Sequence, residues 1–156
     1  MSSSHSIPSH FCLLFDCDGT LVDSEILLAD VMGEIFPELG LPFSAQQYME
    51  FRGVRFHTIV HTLEHRFHKL TEEALTQLES GMRTRMEARM RAELVAIPGI
   101  PDALTQLKSY PKAVVSNGPE RKIRCALEST QLEGHFQGQL FSAYTLNVWK
   151  PDPELY

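Results

Sequence analysis

Three short apolar runs, separated by segments with helical periodicity, constrain the fold of this chain more than any other feature. They are FCLLF at 11–15, KAVVSNG at 112–118 and the weaker QLFSAY at 139–144. PDALTQLKS precedes the second run, and ERKIRCALESTQL separates the second from the third. Continuous apolar runs of this length are typical of strands buried on both faces of a parallel sheet. The chain is therefore predicted to be an α/β protein.

Residues 24–93 differ because they contain no strand-like run. Their apolar spacing predicts four helices, at about 26–36, 44–53, 55–68 and 71–94. The α/β pattern resumes at IPGIPDAL. Two domains are predicted: a core formed by 1–23 and 94–156, and an all-helical insertion at 24–93.

Composition narrows the class of protein. The chain of 156 residues is 43% hydrophobic and 22% charged, as in ordinary globular domains. Its net charge of −6 disfavours a nucleic acid or an anionic membrane as partner. The three cysteines, Cys12, Cys17 and Cys125, lack metal-ligand spacing, and Cys12 and Cys17 are interpreted as small buried hydrophobes. A cytoplasmic location fits best, and the first ten residues are interpreted as a frayed tail.

Polar residues follow each apolar run, at the sheet edge where open α/β folds bind ligands. The first cluster contains Asp16 and Asp18. Two neighbouring carboxylates repel, so they need a cation or a shared proton. Mg²⁺ suits such oxygen ligands, with Asp16 as nucleophile and Asp18 as acid and base. A plain turn, favoured by Asp18 and Gly19, is the alternative.

The other two clusters suit phosphate. Ser116 ends the second run, and its hydroxyl with the following amides can hold a phosphate at a helix N-terminus. A plain helix N-cap is an equal alternative. Lys150 follows the third run and can neutralise phosphate and nucleophile, although a lone Lys-Pro is more often a solvated lysine.

Taken in order, DxDGT, a strand ending in Ser and a Lys-Pro pair resemble the haloacid dehalogenase (HAD) superfamily. The helical insertion is similar to the cap of its phosphatase and phosphoglucomutase branch. ELVAIPG, AVVSNGP, LFSAY and WKPDPEL are similar to the bacterial 6-phosphogluconate phosphatase group. The resemblance implies a Rossmann-like parallel sheet core with an inserted helical cap.

The resemblance also implies roles. Asp16 attacks phosphorus and becomes an aspartyl phosphate, and Asp18 protonates the leaving alcohol and then activates water. Mg²⁺ is held by the Asp16 carboxylate and the Asp18 main-chain carbonyl. The dehalogenase branch lacks an acid two residues after its nucleophile, so Asp18 favours phosphoryl transfer.

Further residues take supporting roles in the same scheme. Ser116 and Asn117 hold phosphoryl oxygens, Lys150 balances charge, and Thr20 orients Asp18. Arg55 lies in the cap region that contacts the non-reacting end of a substrate in this family. A salt bridge within the cap is the alternative for Arg52 and Arg55.

The family pattern has a fourth motif, an acidic pair after another βα unit that completes the Mg²⁺ site, and no later pair of aspartates exists here. The sequence is interpreted as a member truncated before that motif, with an incomplete sheet that leaves one edge and some apolar faces uncovered.

Two patterns in the helical insertion allow a second interpretation. Four histidines lie on one narrow side of the third predicted helix: His57, His61, His65 and His68. They could form a metal site, or they could be ordinary half-buried side chains. The last helix carries MRTRMEARMR, interpreted as an amphipathic helix with a solvated basic side in preference to a partner-binding face.

These observations predict a Mg²⁺-dependent phosphatase acting on a small phosphorylated metabolite, such as a sugar phosphate or a sugar-acid phosphate. A phosphomutase shares every motif. A non-catalytic fragment that binds phosphate or a partner is the alternative from another class.

Overall fold

The computed structural model describes residues 11–52 and 54–156, and the chain forms two compact units. Among these residues the first unit, the α/β unit, comprises 11–21 together with Ala96–Tyr156. The second, the helical unit, is Val22–Val95.

The α/β unit contains a parallel three-stranded sheet. Its strands are β1 (Leu13–Phe15), β2 (Lys112–Ser116) and β3 (Leu140–Ser142), in the order β1-β2-β3. The helices of this unit are α4 (Ile100–Gln106), α5 (Glu120–Ser129) and α6 (Ala143–Leu146), with 3₁₀ turns at Glu133–His135 and Pro153–Leu155. A parallel sheet with helical connections confirms the predicted α/β class. Because the strands are parallel, β1, β2 and β3 all end at the same edge.

Burial differs between the strands. Every residue of β2 is buried, as predicted. The prediction that β1 is buried on both faces is wrong, because Leu14 is 44% exposed. Cys12, interpreted as a buried hydrophobe, is also exposed. Leu14 and Cys12 are exposed because β1 lies at the edge of the sheet: in the described part of the chain it pairs only with β2. The face of the sheet that carries Leu14 and Phe141 is also partly uncovered.

Helix α5 leads away from the end of β2 and is amphipathic. It starts directly after Pro119, which holds the N-cap position, and buries Ile123, Ala126 and Leu127. Burial of these three side chains fixes the helix in rotation, so the side chain of Lys122 has a defined direction.

The helical unit contains α1 (Glu25–Glu38), α2 (Phe56–Arg66) and α3 (Glu72–Glu93). The second predicted helix, at 44–53, is replaced by a short 3₁₀ helix, Gln47–Phe51. Ser44 and Gln47 bond reciprocally at its start, and Arg52 is already extended. The segment therefore holds a single turn.

The arginine-rich stretch of α3 is the amphipathic helix that the sequence favours. One side buries Met82, Met86 and Met90. On the other side Arg85 forms two hydrogen bonds to Glu38, at 2.9 and 2.6 Å, and Arg89 pairs with Glu34. These ion pairs join α3 to α1, since both carboxylates belong to α1.

Helix α2 buries Ile59, Val60 and Leu63, which recur at the helical spacing that predicts it. Phe67, within the predicted helix at 55–68, lies beyond the end of α2 and is 48% exposed. Among the described residues, no helix is both long enough and apolar enough to cross a membrane.

Candidate active site

The loop after β1 turns sharply and carries two aspartates. The main-chain oxygen of Cys17 accepts hydrogen bonds from Leu21 N at 2.9 Å and Thr20 N at 3.3 Å. Gly19 has a φ of +73°, which a side chain would strain. The carboxylate of Asp16 accepts a hydrogen bond from Cys17 N at 2.8 Å. The loop is thus a turn, and it also directs both carboxylates to the strand edge.

Lys150 lies against the first aspartate. Its Nζ is 2.9 Å from Oδ1 of Asp16, and its side chain is only 22% exposed. A freely solvated lysine would be far more exposed, so the alternative interpretation of Lys150 does not describe this side chain. The ion pair joins the loop after β1 to the loop after β3.

Lys122 lies against the second aspartate, and sequence reasoning missed it. Its Nζ is 2.7 Å from Oδ1 of Asp18. Its position in the sequence could have indicated this contact, because Lys122 is in the first turn of a helix that starts at the carboxyl end of β2. Side chains in the first turn point back toward the N-terminal end of their helix. Each aspartate of the loop therefore has its own lysine.

The loop after β2 is held by hydrogen bonds from its own residues and from β3. Ser116 is buried, and its Oγ accepts a hydrogen bond from Gly118 N at 3.0 Å. Ser142 donates to Gly118 O at 2.8 Å. Since Pro119 is the N-cap of α5, Ser116 does not cap that helix. Its hydroxyl instead lies at the strand edge beside the aspartate loop.

Asn117 positions the lysine loop. Its Oδ1 accepts a hydrogen bond from the main-chain nitrogen of Lys150 at 2.8 Å. Sequence reasoning assigned Asn117 to phosphate only. The structure adds a contact that positions the main chain of Lys150. The Nδ2 group of the amide is a donor and can serve another acceptor.

Gly118 leaves space between two of these groups. A Cβ atom at this position would lie 3.4 Å from Ser116 Oγ and 3.6 Å from Asp18 Oδ2. The serine hydroxyl and the second carboxylate therefore border the same small space. Hydroxyl, main-chain N–H and ammonium groups, all of which occur at this strand edge, are groups that bind phosphoryl oxygens.

Cys17, between the aspartates, is a buried and unreactive thiol. Burial, reinforced by the negative charge of Asp18, raises its pKa to about 12. The thiolate is the nucleophilic form of cysteine, so Cys17 contributes no nucleophile at neutral pH. Asp16, whose side chain is 45% exposed, is by contrast accessible from solvent.

The donor set suits a hard divalent cation. Asp16 and Asp18 offer carboxylate and carbonyl oxygens, and Mg²⁺ commonly binds through one or two carboxylates, substrate phosphate and several waters. No group of three or more His, Cys, Asp or Glu side chains able to hold a metal occurs among residues 11–52 and 54–156. The four histidines on one side of the third predicted helix form no such group and all are exposed, so their interpretation as a metal site is wrong.

The remaining predicted site residues lie elsewhere. Thr20 is exposed on the turn after Asp18. Arg55 belongs to the helical unit, where it is exposed at the N-cap position of α2. Arg52 pairs with Glu25 at 3.5 Å, and Tyr48 donates to the same carboxylate at 3.0 Å. Arg52 is therefore engaged within the helical unit, as the alternative interpretation holds.

Comparison with known proteins identifies the family. Residues 12–156 match the family model of haloacid dehalogenase-like hydrolases. The chain belongs to this family. It is 35% identical over 146 residues to the 6-phosphogluconate phosphatase of Escherichia coli K12, and 33% identical over 156 residues to (S)-2-haloacid dehalogenase 4A of Burkholderia cepacia. Both alignments cover 92% of this chain.

The chain spans 64% and 65% of the lengths of those two HAD relatives. A crystal structure of a predicted phosphoglycolate phosphatase from Haemophilus somnus has the same fold, with a TM-score of 0.80 at 22% identity. That alignment covers 92% of this chain and 67% of the other. The predicted membership of the HAD superfamily is confirmed.

Proposed function

We propose that this HAD-family chain carries the catalytic site of a phosphatase that hydrolyses a small phosphorylated metabolite through an aspartyl phosphate. The observation that supports this most is the pairing of Asp16 with Lys150 at 2.9 Å beside a second aspartate, Asp18. A dehalogenase needs only the first carboxylate, whereas phosphoryl transfer also needs an acid for the leaving alcohol.

In the first half-reaction Asp16 is the nucleophile. One of its carboxylate oxygens forms a bond to phosphorus while the bond from phosphorus to the ester oxygen breaks. Asp18 transfers a proton to the departing oxygen, which leaves as an alcohol. Lys150 keeps its proton and balances the negative charge on the phosphoryl group and on Asp16.

In the second half-reaction Asp18 takes a proton from a water molecule. The oxygen of that water bonds to phosphorus, the bond to Asp16 breaks, and inorganic phosphate is released. Ser116 Oγ, Asn117 Nδ2 and Lys150 Nζ hold the phosphoryl oxygens through both halves. Thr20 supports the turn that carries Asp18. When a divalent cation, proposed to be Mg²⁺, is bound by Asp16 and the Asp18 carbonyl, it supplies neutralising charge to the phosphoryl oxygens.

The helical unit is proposed as the cap, with residues 24–93 covering the non-reacting part of the substrate. A sugar phosphate or a sugar-acid phosphate, such as 6-phosphogluconate, is the proposed class. The name of the E. coli relative supports a sugar acid. Arg55 is exposed and positively charged, so it suits a carboxylate on such a substrate.

The test is release of inorganic phosphate from a panel of esters with Mg²⁺ and with EDTA. The panel contains 6-phosphogluconate, 2-phosphoglycolate, glucose 6-phosphate and p-nitrophenyl phosphate. We expect Asp16→Asn to lower kcat by at least about 10³-fold, the scale on which loss of a nucleophile acts. Asp102→Asn, in the first turn of α4, is the matched control and should keep the full rate. Full activity in Asp16→Asn refutes the proposal.

Two rivals have separate readouts. Turnover of β-glucose 1-phosphate only when a bisphosphorylated sugar is present, without release of phosphate, indicates a mutase. Halide release from a 2-haloacid, with no phosphate release from any ester, indicates a dehalogenase, as the Burkholderia relative is named.

The cap role of Arg55 is tested separately. Arg55→Ala should raise KM for sugar acids more than KM for p-nitrophenyl phosphate, because only the sugar acid carries the second anion. Arg83→Ala, an exposed arginine of α3, is the control. Equal changes for both esters refute the substrate contact.

A further inference from the structure

We propose that Lys122 is a further residue of this site: a positioning residue that binds Asp18 Oδ1 and so presents Oδ2 to the leaving-group oxygen. The inference rests on the proposed phosphatase function. It assigns to α5 a part in the proton transfer that neither the motifs nor the comparisons provide.

The contact between the two residues is close and partly shielded from solvent. Nζ of Lys122 lies 2.7 Å from Oδ1 of Asp18, a distance typical of a charge-assisted hydrogen bond. The two side chains are only 23% and 22% exposed. Solvent screens a partly buried ion pair less than a fully exposed one, so this contact is stronger than a typical surface pair.

Helix α5 keeps Lys122 in place. The buried side chains of Ile123, Ala126 and Leu127 fix the helix against the sheet. Lys122 is in its first turn, on the side of the strand edge that carries the aspartates. The lysine thus comes from a rigid element, although it is 104 residues from Asp18 in sequence.

The other oxygen of Asp18 faces the space where the phosphoryl group is proposed to bind. Oδ2 lies 3.6 Å from the position that a Cβ on Gly118 would take, and Ser116 Oγ lies 3.4 Å from the same point. A hydrogen bond on Oδ1 restricts rotation of the carboxyl group about its terminal torsion, which is otherwise broad. Lys122 therefore holds Oδ2 on the Ser116 side.

This geometry matters when the proton moves. In the first half-reaction the Oδ2 proton of Asp18 passes to the ester oxygen as its bond to phosphorus breaks. In the second half-reaction Oδ2 takes a proton from the attacking water. Lys122 donates its hydrogen bond to Oδ1 and keeps its own protons throughout. A misdirected Oδ2 slows only the steps that use the acid or base.

The experiment compares leaving groups. Lys122→Met removes the ammonium and keeps most of the length, and Lys122→Arg keeps a donor. Each is assayed with the best sugar phosphate, whose alcohol is a poor leaving group, and with 2,4-dinitrophenyl phosphate, whose phenolate leaves without a proton. Arg124→Gln is the control, because Arg124 belongs to the same helix but pairs with Glu120 at 2.7 Å.

We expect Lys122→Met to lower kcat for the sugar phosphate by about 10- to 100-fold, part of the 10²–10⁴-fold that a positioned acid contributes. The pre-steady-state burst of 2,4-dinitrophenol, which reports the first half-reaction alone, should slow by less than about threefold, KM should change little, and Lys122→Arg should recover part of the loss in kcat. A burst of 2,4-dinitrophenol slowed as much as kcat for the sugar phosphate, an unchanged kcat or a raised kcat would each overturn the inference.

The inference and the proposed function fail in different ways. If catalysis requires Asp16 but the Lys122→Met variant keeps the wild-type rate, the proposed function stands and the inference about Lys122 fails. If the wild-type protein hydrolyses no ester, the proposed function fails. Crystal structures then test the contact between Lys122 and Asp18 by itself. The Asp18 carboxylate should keep one orientation in the wild type and turn in Lys122→Met. An unchanged carboxylate, or a wild-type separation of Nζ and Oδ1 beyond hydrogen-bond distance, overturns the role of Lys122.

Discussion

The buried thiol of Cys17 makes the stability of the α/β unit sensitive to alkaline pH. Burial raises its pKa from 9.0 to about 12 in the folded protein, and the Asp18 carboxylate adds to the shift. The folded state therefore keeps the thiol proton in a pH range where the unfolded chain loses it. The resulting stability is fully present below pH 9 and is lost as the pH rises toward 12.

The size of the effect follows from the two pKa values. With 9.0 for the unfolded chain and about 12 for the folded protein, the free energy of unfolding falls by about 1.4 kcal/mol at pH 10 and about 2.7 kcal/mol at pH 11. Other groups also titrate there, so the informative quantity is the difference between the wild type and Cys17→Ala. That difference should narrow by these amounts above pH 9.

Urea unfolding followed by tryptophan fluorescence measures this difference. The chain has one tryptophan, Trp149, which lies in the α/β unit. Cys12→Ala is the control, because Cys12 is exposed and its removal should leave the pH profile unchanged. Parallel stability curves for the wild type and Cys17→Ala between pH 8 and 11 would refute the reasoning about burial.

Two further predictions concern a glycine and a surface ion pair. Gly118→Ala should fold normally, because its Cβ would approach no atom closer than 3.4 Å. The methyl group would occupy the space beside Ser116 Oγ, so the Kd for inorganic phosphate with Mg²⁺ should rise at least about tenfold by calorimetry; an unchanged Kd contradicts that placement of the anion. The hydrogen bond from Arg85 lowers the pKa of Glu38. The stability that this ion pair contributes is therefore present above the ordinary glutamate pKa and lost in acid. The difference in the free energy of unfolding between the wild type and Glu38→Gln should shrink from pH 6 to pH 3. A difference independent of pH contradicts this.

The sequence was sufficient for the features that local pattern determines. Continuous apolar runs predicted the three parallel strands, and the 3.6-residue period predicted α1, α3 and α5. The polar residues after these runs, Asp16 and Ser116 among them, lie at one edge because parallel strands end together.

The features that the sequence did not predict depend on tertiary context. Leu14 and Cys12 are exposed because burial of a strand depends on what covers it, which the run FCLLF does not encode. The segment at 44–53 forms one 3₁₀ turn because Ser44 and Gln47 satisfy each other locally.

Lys122 was missed for a related reason. In the sequence it is one basic residue among several of an amphipathic helix. Only the packing of α5 against the sheet brings it to Asp18, across 104 residues. Lys150 was found because a family motif marks it, not because its distance from Asp16 could be derived.

The covalent intermediate is the most direct test of the account. The protein is mixed with 6-phosphogluconate, or the best ester of the panel, and Mg²⁺, quenched in acid within one turnover, digested and analysed by mass spectrometry. The account predicts a phosphoryl group on Asp16, absent in Asp16→Asn and released by hydroxylamine. Phosphate release at full rate with no phosphorylated Asp16, or with the group on another residue, would contradict it.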